Sequence, residues 1–139
     1  MKITKESPDY PALCVANYLL GGGFLDSRLA NRIRNQAGFS YGVGSRLAVD
    51  EKDDFGKFMA YAICAPQNIE KVHRAFNEEI SRALQGGFSA DELKKAKQGI
   101  SQTYKVGRAM DTNLVSTLRE NLFYNHNVTE NAELEQKIM

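Results

Sequence analysis

The segment at residues 21–49 constrains the fold of this chain most, because its hydrophobic spacing changes at one glycine, Gly38. Before Gly38, apolar residues recur at every fourth position, at Leu25, Leu29 and Ile33. After it the spacing is two, with Phe39, Tyr41, Val43, Leu47 and Val49 on one face and Ser40, Gly42, Gly44, Arg46 and Ala48 on the other. A spacing of four is typical of a helix and a spacing of two of a strand. The segment predicts a helix that Asp26 or Ser27 caps and Gly38 ends, followed by a strand over residues 40–49.

Two polar side chains flank the predicted turn at Gly38. Arg34 lies in the last turn of the helix, and Tyr41 lies near the start of the strand. A guanidinium is always protonated and presents a rigid fork of N–H groups, and a tyrosine hydroxyl is a directional donor on a stiff ring. Such a pair suits a peptide carbonyl or an oxyanion. A structural explanation stays open beside this one, since arginine stabilises a helix C-terminus and tyrosine favours strands.

A second helix is predicted just before this segment, over residues 11–20. Its spacing would bury Leu13, Ala16 and Leu20. Three consecutive glycines at residues 21–23 end it, and we interpret them as a flexible corner between two helices. No strand precedes these glycines and no lysine follows them, so the pattern disagrees with phosphate-binding and dinucleotide-binding loops.

The rest of the chain predicts the second strand of a hairpin and then four helices. A charged turn over residues 50–54 and alternating residues over 55–64 indicate the hairpin. Ser89 and Glu92 have the spacing of a capping box at the start of one helix, and Thr129 starts the last helix. The apolar positions that we expect to be buried in the first three of these helices are Ile69, Val72, Phe76, Ile80 and Leu84; Leu93, Ala96, Ile100 and Tyr104; and Leu114, Val115, Leu118 and Leu122.

These elements predict an α+β fold in which an antiparallel sheet packs against helices. A chain of 139 residues with 42% hydrophobic and 25% charged content is typical of one globular domain. However, an isolated two-stranded hairpin is only marginally stable in water. We therefore expect further strands from sequence outside this chain, from residues 1–7, or from a second copy in a homo-oligomer. The last helix reaches Met139 without a C-cap, so we expect residues 1–139 to be a single partial domain.

The composition disfavours several classes of partner. The net charge is +1, and the arginines near the predicted helix form only a local positive patch, which disfavours a nucleic-acid partner. No apolar run is long enough to span a membrane, and residues 1–10 lack the apolar core of a secretory signal. Cys14 and Cys64 lie among apolar neighbours, so we expect them to be small buried hydrophobic residues rather than a reactive pair.

The sequence predicts neither a metal site nor a complete catalytic set within the chain. The only two histidines are His73 and His126, and neither has a second ligand at the spacing that zinc sites on helices use. Ser40 and Ser45 have no histidine nearby, and the carboxylates of the 50–54 turn are expected to be solvated. We therefore expect no cofactor in this chain and no peptide cleavage by the chain alone.

A set of short motifs extends through nearly the whole chain: PDYPAL, LGGGFLDSRL, RIR, GFSYGVGS and, more loosely, FSADELKKAKQGI. Together they resemble the C-terminal-half domain of the pitrilysin or insulinase-type zinc metallopeptidases, a group that includes the mitochondrial processing peptidase and bacterial two-subunit zinc proteases. The resemblance implies an α/β roll that is longer than this chain, with the strands before Pro8 absent here.

The resemblance also implies a function. It assigns Arg34 and Tyr41 to the binding of a substrate backbone carbonyl near the scissile bond, in the active site of another half. The zinc and the general base would belong to an N-terminal zinc-binding half or a partner subunit, in the bacterial periplasm or cytoplasm. Gly42 and Gly44 leave little side chain on one strand face, so either a peptide substrate or a packed helix could approach closely there.

Two other functions remain open at this point. The first is a non-catalytic scaffold or assembly subunit, because the resembled family also has members that have lost catalysis. The second is a free-standing peptide-binding module. The presence of both Arg34 and Tyr41 favours the catalytic interpretation over the scaffold.

Overall fold

The computed structural model describes residues 2–50 and 55–139 and confirms the α+β class. Helices carry most of the described chain, and one antiparallel hairpin supplies the sheet. In chain order the elements are α1 (Tyr10–Asn17), a first π-helix (Tyr18–Gly22), a 3-10 turn (Phe24–Asp26), a second π-helix (Ala30–Gln36), β1 (Ser40–Val49), β2 (Gly56–Cys64), a 3-10 turn (Pro66–Asn68), α2 (Ile69–Gly86), α3 (Ala90–Arg108), α4 (Asp111–Tyr124) and α5 (Glu130–Ile138).

The sheet is the predicted hairpin. Strands β1 and β2 pair antiparallel, from Val49 opposite Gly56 to Ser40 opposite Cys64, with one irregularity between Ser40 and Gly42. The predicted charged turn, residues 51–54, lies outside the described residues. Residues 2–7 form no strand, so the expectation that they extend the sheet is wrong.

Two hydrophobic clusters lie under these elements. The first core joins α1, the first π-helix, α3 and α5 through Val15, Leu19, Ala96, Ile100 and Ile138. The second core joins the second π-helix to α2 through Leu29, Ile33, Val72 and Ala75, and Val43 of β1 packs against it. Cys14 and Cys64 are free thiols, and each packs against one of the two cores but is only half-buried, which is less burial than predicted.

The N-terminal helix differs from its prediction. Its most buried side chains are Val15 and Leu19, not the predicted set, because α3 and α5 cover the face that carries these two residues. The glycines at residues 21 and 22 belong to the first π-helix and are not a flexible corner. A Cβ atom at Gly21 would lie 2.5 Å from the backbone nitrogen of Ser45, so the helix backbone lies directly against β1.

Helices α3 and α5 begin directly after the predicted Ser89 and Thr129. The capping box of Ser89 and Glu92 is present at the start of α3. The predicted burial along α4 is wrong: its apolar residues are exposed, and Leu122 reaches 87% exposure. Amphipathic spacing identifies the apolar face of a helix, but it does not show whether another element covers that face. No described helix combines the length and apolar character that a membrane span requires.

Candidate functional site

The helix that carries Arg34 begins at a buried serine. The backbone N–H of Ala30 donates to the hydroxyl of Ser27 at 3.4 Å, and Ser27 has extended backbone angles, as expected for an N-cap. Ser27 is therefore the cap, and Asp26 belongs to the preceding 3-10 turn. Residues 30–36 are wound as a π-helix rather than the predicted α-helix. Such wide turns are rare and are frequent at functional sites.

The turn between the helix and β1 is fixed by backbone hydrogen bonds. Gly38 has a φ of +63°, which favours glycine and confirms it as the end of the helix. Its N–H donates to the carbonyl oxygen of Arg34 at 3.2 Å, and the next N–H, of Phe39, donates to the carbonyl oxygen of Ile33 at 2.9 Å. The side-chain amide of Asn68 donates to the carbonyl oxygen of Phe39 at 3.3 Å. The backbone between Arg34 and β1 is thus fixed by hydrogen bonds to the preceding helix and to Asn68.

Arg34 follows the most deeply buried residue of the segment. Ile33 and Leu29 are completely buried in the second core, whereas Leu25, which the spacing placed on the same stripe, is exposed. Arg34 itself is half-buried. Its backbone is therefore anchored by core packing on one side and by the Gly38 turn on the other.

Tyr41 lies in a β-bulge. Ser40 pairs with Cys64 and Gly42 pairs with Ile63, which leaves Tyr41 as the extra residue of β1. Its side chain is 76% exposed. Simple alternation placed it on the same face as Phe39 and Val43, which pack against the second core, and this part of the prediction is wrong. The extra residue changes the direction of the side chains on the bulged strand.

The hydroxyl of Ser40 lies inside this bulge. It is within donating distance of two carbonyl oxygens, those of Gly42 and Ile63, each at 2.7 Å. It also accepts the N–H of Gly42 at 3.2 Å, and Ser40 is only 5% exposed. No local sequence pattern singles out Ser40 for this role, because one of its partners, Ile63, lies on the opposite strand.

The structure brings the elements of the two predicted site residues together. The second π-helix packs against β1 as well as α2, so Arg34 and Tyr41 belong to elements in direct contact. Neither side chain has a hydrogen bond or ion pair with any residue of the described ranges. Their donors are therefore available to a carbonyl or carboxylate oxygen.

Gly42 and Gly44 lie beside Tyr41 on β1, and β2 covers both of them. A Cβ atom at Gly42 would lie 3.2 Å from Cδ1 of Ile63, and one at Gly44 would lie 3.0 Å from Oη of Tyr61. The side chains of Ile63 and Tyr61 thus extend over the two glycines, and both remain more than half exposed. This face of the sheet presents apolar side chains to solvent.

A second arginine of the segment, Arg28, joins the start of this helix to the start of α3. We call its contacts with Gly87, Phe88 and Glu92 the clamp. Its Nε donates to Oε1 of Glu92 at 2.7 Å, and its Nη2 donates both to Oε2 of Glu92 and to the carbonyl oxygen of Gly87 at 3.0 Å. The guanidinium lies 4.5 Å from the ring centroid of Phe88. The sequence predicts Glu92 only as part of a capping box, and it carries no local signal for this contact, which links positions far apart in the chain.

The clamp changes the titration of both partners. The hydrogen bond from Arg28 lowers the pKa of Glu92 from 4.5 to about 2, with further help from Ser89. The hydrogen bond to Glu92 in turn raises the pKa of Arg28. Since the folded pKa of Glu92 is depressed, its stabilisation is complete above pH 4.5 and is lost as the pH falls towards 2.

We therefore expect Glu92→Gln to lower the free energy of unfolding by about 1–2 kcal/mol at neutral pH, since a carboxylate one-third exposed is partly screened by water. Glutamine can keep the capping-box bond from the N–H of Ser89, but its amide nitrogen then replaces the oxygen that accepts from Nε of Arg28, so the change removes the charge and one hydrogen bond to Arg28. The difference from wild type should narrow at about pH 3, where the wild-type carboxylate begins to protonate. Urea unfolding at the two pH values measures both quantities.

The matched control is Asp91→Asn, because Asp91 forms an exposed ion pair with Lys95 in the same helical turn. We expect this change to cost less than about 0.5 kcal/mol. Equal effects of the two substitutions, or a Glu92→Gln effect that does not depend on pH, would contradict the clamp.

The described residues offer no metal centre. No group of three or more histidine, cysteine, aspartate or glutamate side chains among residues 2–50 and 55–139 could hold a metal ion. His73 is exposed beside Asn77, and His126, in the connection between α4 and α5, lies 3.3 Å from Glu130 at the start of α5. The side chains of the described residues therefore do not fit a zinc ion.

Sequence comparisons connect this geometry to known proteins. The profile of the family described as the peptidase M16 inactive domain matches residues 3–100. An uncharacterized zinc protease of Streptomyces coelicolor is 33% identical over 85 residues, which are 61% of this chain and 18% of that protein. The probable zinc protease PqqL of Escherichia coli is 29% identical over 91 residues, which are 65% and 10% of the two chains. The chain thus spans less than a fifth of the length of these curated relatives.

Solved structures show the same fold. The peptidase M16 inactive domain from Pseudomonas fluorescens is 25% identical with a TM-score of 0.81, covering 99% of this chain and 32% of that chain. The periplasmic protease PqqL of Escherichia coli is 26% identical with a TM-score of 0.65, covering 94% and 14%. A protease from Helicobacter pylori shares the fold at 16% identity, with a TM-score of 0.78.

Proposed function

Because the chain belongs to the peptidase M16 inactive-domain family, we propose that it is the substrate-binding half of a zinc peptidase that hydrolyses extended oligopeptides. Residues 1–139 are then a partial domain of the C-terminal half. The zinc ion and the general base belong to an N-terminal half or a partner subunit, in agreement with the zinc-protease names of the relatives. By itself this chain would bind a peptide without cleaving it.

Arg34 and Tyr41 supply the chemistry in this proposal. Both donate hydrogen bonds to the backbone carbonyl of the substrate near the scissile bond. As a nucleophile adds to that carbonyl, negative charge develops on its oxygen, and donors that are already in position stabilise it without reorganisation. The arginine adds a fixed positive charge, and the tyrosine adds a directional hydroxyl.

This role is supported most by the absence of any hydrogen-bond partner for the side chains of Arg34 and Tyr41 among the described residues. Both lie next to a backbone that is held by hydrogen bonds, yet their own polar groups have no partner among the described residues. The purely structural explanation would have predicted Tyr41 packed in the sheet, whereas it is 76% exposed. β-bulges are over-represented next to active sites, where they redirect a side chain.

We also assign the sheet face at Gly42 and Gly44 to the substrate-binding surface, with Ile63 and Tyr61 as the side chains that contact the peptide. Ile63 and Tyr61 extend over these glycines, so a bound peptide would meet an apolar sheet face directly beside Tyr41. An extended peptide whose side chains are apolar on one side suits such a face.

The test is peptide cleavage by the complete protein with its zinc-bearing half. We expect Arg34→Ala and Tyr41→Phe each to lower kcat by about 100-fold, the lower end of the range found when one donor to a developing oxyanion is removed. The control for the arginine is Arg32→Ala, since Arg32 lies in the same helix but pairs with Glu78 at 2.9 Å. The control for the tyrosine is Tyr124→Phe in α4.

Both controls should cleave at the wild-type rate. If Arg34→Ala and Tyr41→Phe also cleave at that rate, the pair has no role in hydrolysis, and the non-catalytic scaffold becomes the better explanation. Binding of a labelled unfolded peptide to each variant, followed by fluorescence anisotropy, separates a loss of affinity from a loss of turnover.

A further inference from the structure

We infer that Ser40 is the positioning residue for Tyr41, because its buried hydroxyl holds the β-bulge that turns Tyr41 towards solvent. The consequence for hydrolysis rests on the proposed function, whereas the consequence for the orientation of Tyr41 does not. Ser40 is not a catalytic residue, since its side chain is buried and its hydrogen bonds are all to backbone atoms of β1 and β2.

The bulge at Tyr41 interrupts the regular pairing of β1 with β2. Where one extra residue is inserted, the regular ladder is broken and backbone groups lose their usual partners. The hydroxyl of Ser40 occupies this gap, 2.7 Å from the carbonyl oxygens of Gly42 and Ile63 and 3.2 Å from the nitrogen of Gly42. The hydroxyl can donate its one proton to one of these carbonyl oxygens while it accepts the N–H of Gly42, so it provides hydrogen bonds for backbone groups at the bulge.

Removing the hydroxyl of Ser40 would leave buried backbone groups without hydrogen-bond partners. Ser40 is 5% exposed, so water does not readily replace its side chain. Without it, the carbonyl of Ile63 and the N–H of Gly42 would lose a partner in a poorly hydrated place, which is unfavourable. The competing arrangement is a regular ladder, which restores backbone pairing but turns Tyr41 to the face that Phe39 and Val43 share. Ser40 thus selects the bulged arrangement over the regular one.

Loss of the Ser40 hydroxyl would affect only one of the two proposed site residues. The turn before β1 is fixed independently of Ser40, by the N–H of Phe39 and by Asn68. Arg34 would therefore keep its place when the bulge is lost, while Tyr41 would not. Ser40 acts on one member of the pair and not on the other.

Ser45→Ala is the matched control for Ser40→Ala. Ser45 is also a buried serine of β1, but its hydroxyl donates to Asn17, to the backbone oxygen at 3.2 Å and to Oδ1 at 2.9 Å, away from the bulge. Both substitutions remove a buried hydroxyl from the same strand. Only the one at Ser40 should change Tyr41. Ser40→Thr, which keeps the hydroxyl in a residue that favours strands, is the rescue variant.

The first readout is nitration of Tyr41 by tetranitromethane in the folded chain, followed by mass spectrometry with exposed Tyr61 as the internal reference. We expect Ser40→Ala to lower the relative nitration rate of Tyr41 by about twofold or more, because the regular arrangement, which turns Tyr41 to the face of Phe39 and Val43, then competes with the bulged one. Ser45→Ala and Ser40→Thr should retain the wild-type ratio. An unchanged ratio in Ser40→Ala would overturn the inference, whatever the cleavage assays show.

The second readout is a double-mutant cycle on kcat in the complete zinc-bearing protein. If Ser40 acts through Tyr41, Ser40→Ala lowers kcat in the wild-type background and has no further effect once Tyr41→Phe is present. A general structural role would instead lower kcat by the same factor in both backgrounds, and that result would overturn the inference. If Tyr41→Phe alone leaves kcat unchanged, the proposed function fails, and the nitration ratio still decides the role of Ser40.

Discussion

Gly21→Ala is expected to lower the free energy of unfolding by about 3 kcal/mol, the upper part of the range for overpacking a close-packed interior. The added methyl group would lie 2.5 Å from the nitrogen of Ser45 and 2.9 Å from the carbonyl carbon of Gly44. Both are backbone atoms of a paired strand, so neither can rotate away. The first π-helix and β1 would have to separate, which would also weaken the hydrogen bonds between Ser45 and Asn17.

The control is Gly86→Ala at the end of α2. No described atom lies within 4 Å of a Cβ placed there, and Gly86 does not have a positive φ. We expect it to be neutral or more stable by less than about 1 kcal/mol, since alanine favours helices more than glycine does. Urea unfolding followed by circular dichroism measures both variants. Equal stabilities would show that the first π-helix is not pressed against β1.

Ile33→Ala should have a comparable effect, lowering the free energy of unfolding by about 3–4 kcal/mol. Ile33 is completely buried in the second core, where it packs with Leu29 of its own helix and with Val72 and Ala75 of α2. Removing three carbon atoms there loses their transfer free energy and leaves a cavity that these neighbours only partly fill. Because Arg34 is the next residue, this variant should also weaken peptide binding.

Leu84→Ala provides the control for Ile33→Ala. Leu84 belongs to the apolar pattern of α2 in the sequence, but it is 82% exposed. We expect a change of less than about 0.5 kcal/mol, as for most surface substitutions. Thermal unfolding of both variants tests the difference. If the two substitutions cost the same, the second core does not lie where the structure places it.

The local part of the site was predictable from the sequence. A change of period at Gly38, a serine cap and a run of alternating residues all depend on neighbours within a few positions, and the structure confirms the cap, the glycine turn and β1. The capping box of α3 was predictable for the same reason. Signals of this kind are strong because they arise from the geometry of one turn of backbone.

The orientation of Tyr41 was not predictable. A bulge adds one residue to one strand, and the hydroxyl that holds it bonds partly to Ile63 on the other strand. Simple alternation has no means of detecting such an insertion, so it placed Tyr41 on the wrong face. The clamp between Arg28 and Glu92 escaped for a similar reason, because it links residues far apart in the chain.

The predictions of buried helix residues were correct only where another element covers the apolar face of the helix. Ala96 and Ile100 of α3 are buried because α1 and α5 cover them, whereas the equivalent stripe of α4 remains exposed. In α2 the charged Glu79 is buried while Ile69 and Leu84 at the two ends are exposed. Spacing defines an apolar face, and only the tertiary arrangement decides which part of that face is covered.

The most direct test of the proposed composite site is the double variant Arg34→Ala/Tyr41→Phe in the complete protein with its proposed zinc-bearing half, with kcat for an oligopeptide as the measured quantity. We expect kcat to fall by more than about 100-fold, while bound zinc and the unfolding temperature remain those of the wild type. Cleavage at the wild-type rate by this double variant, with zinc bound, would contradict the role of the two side chains in hydrolysis.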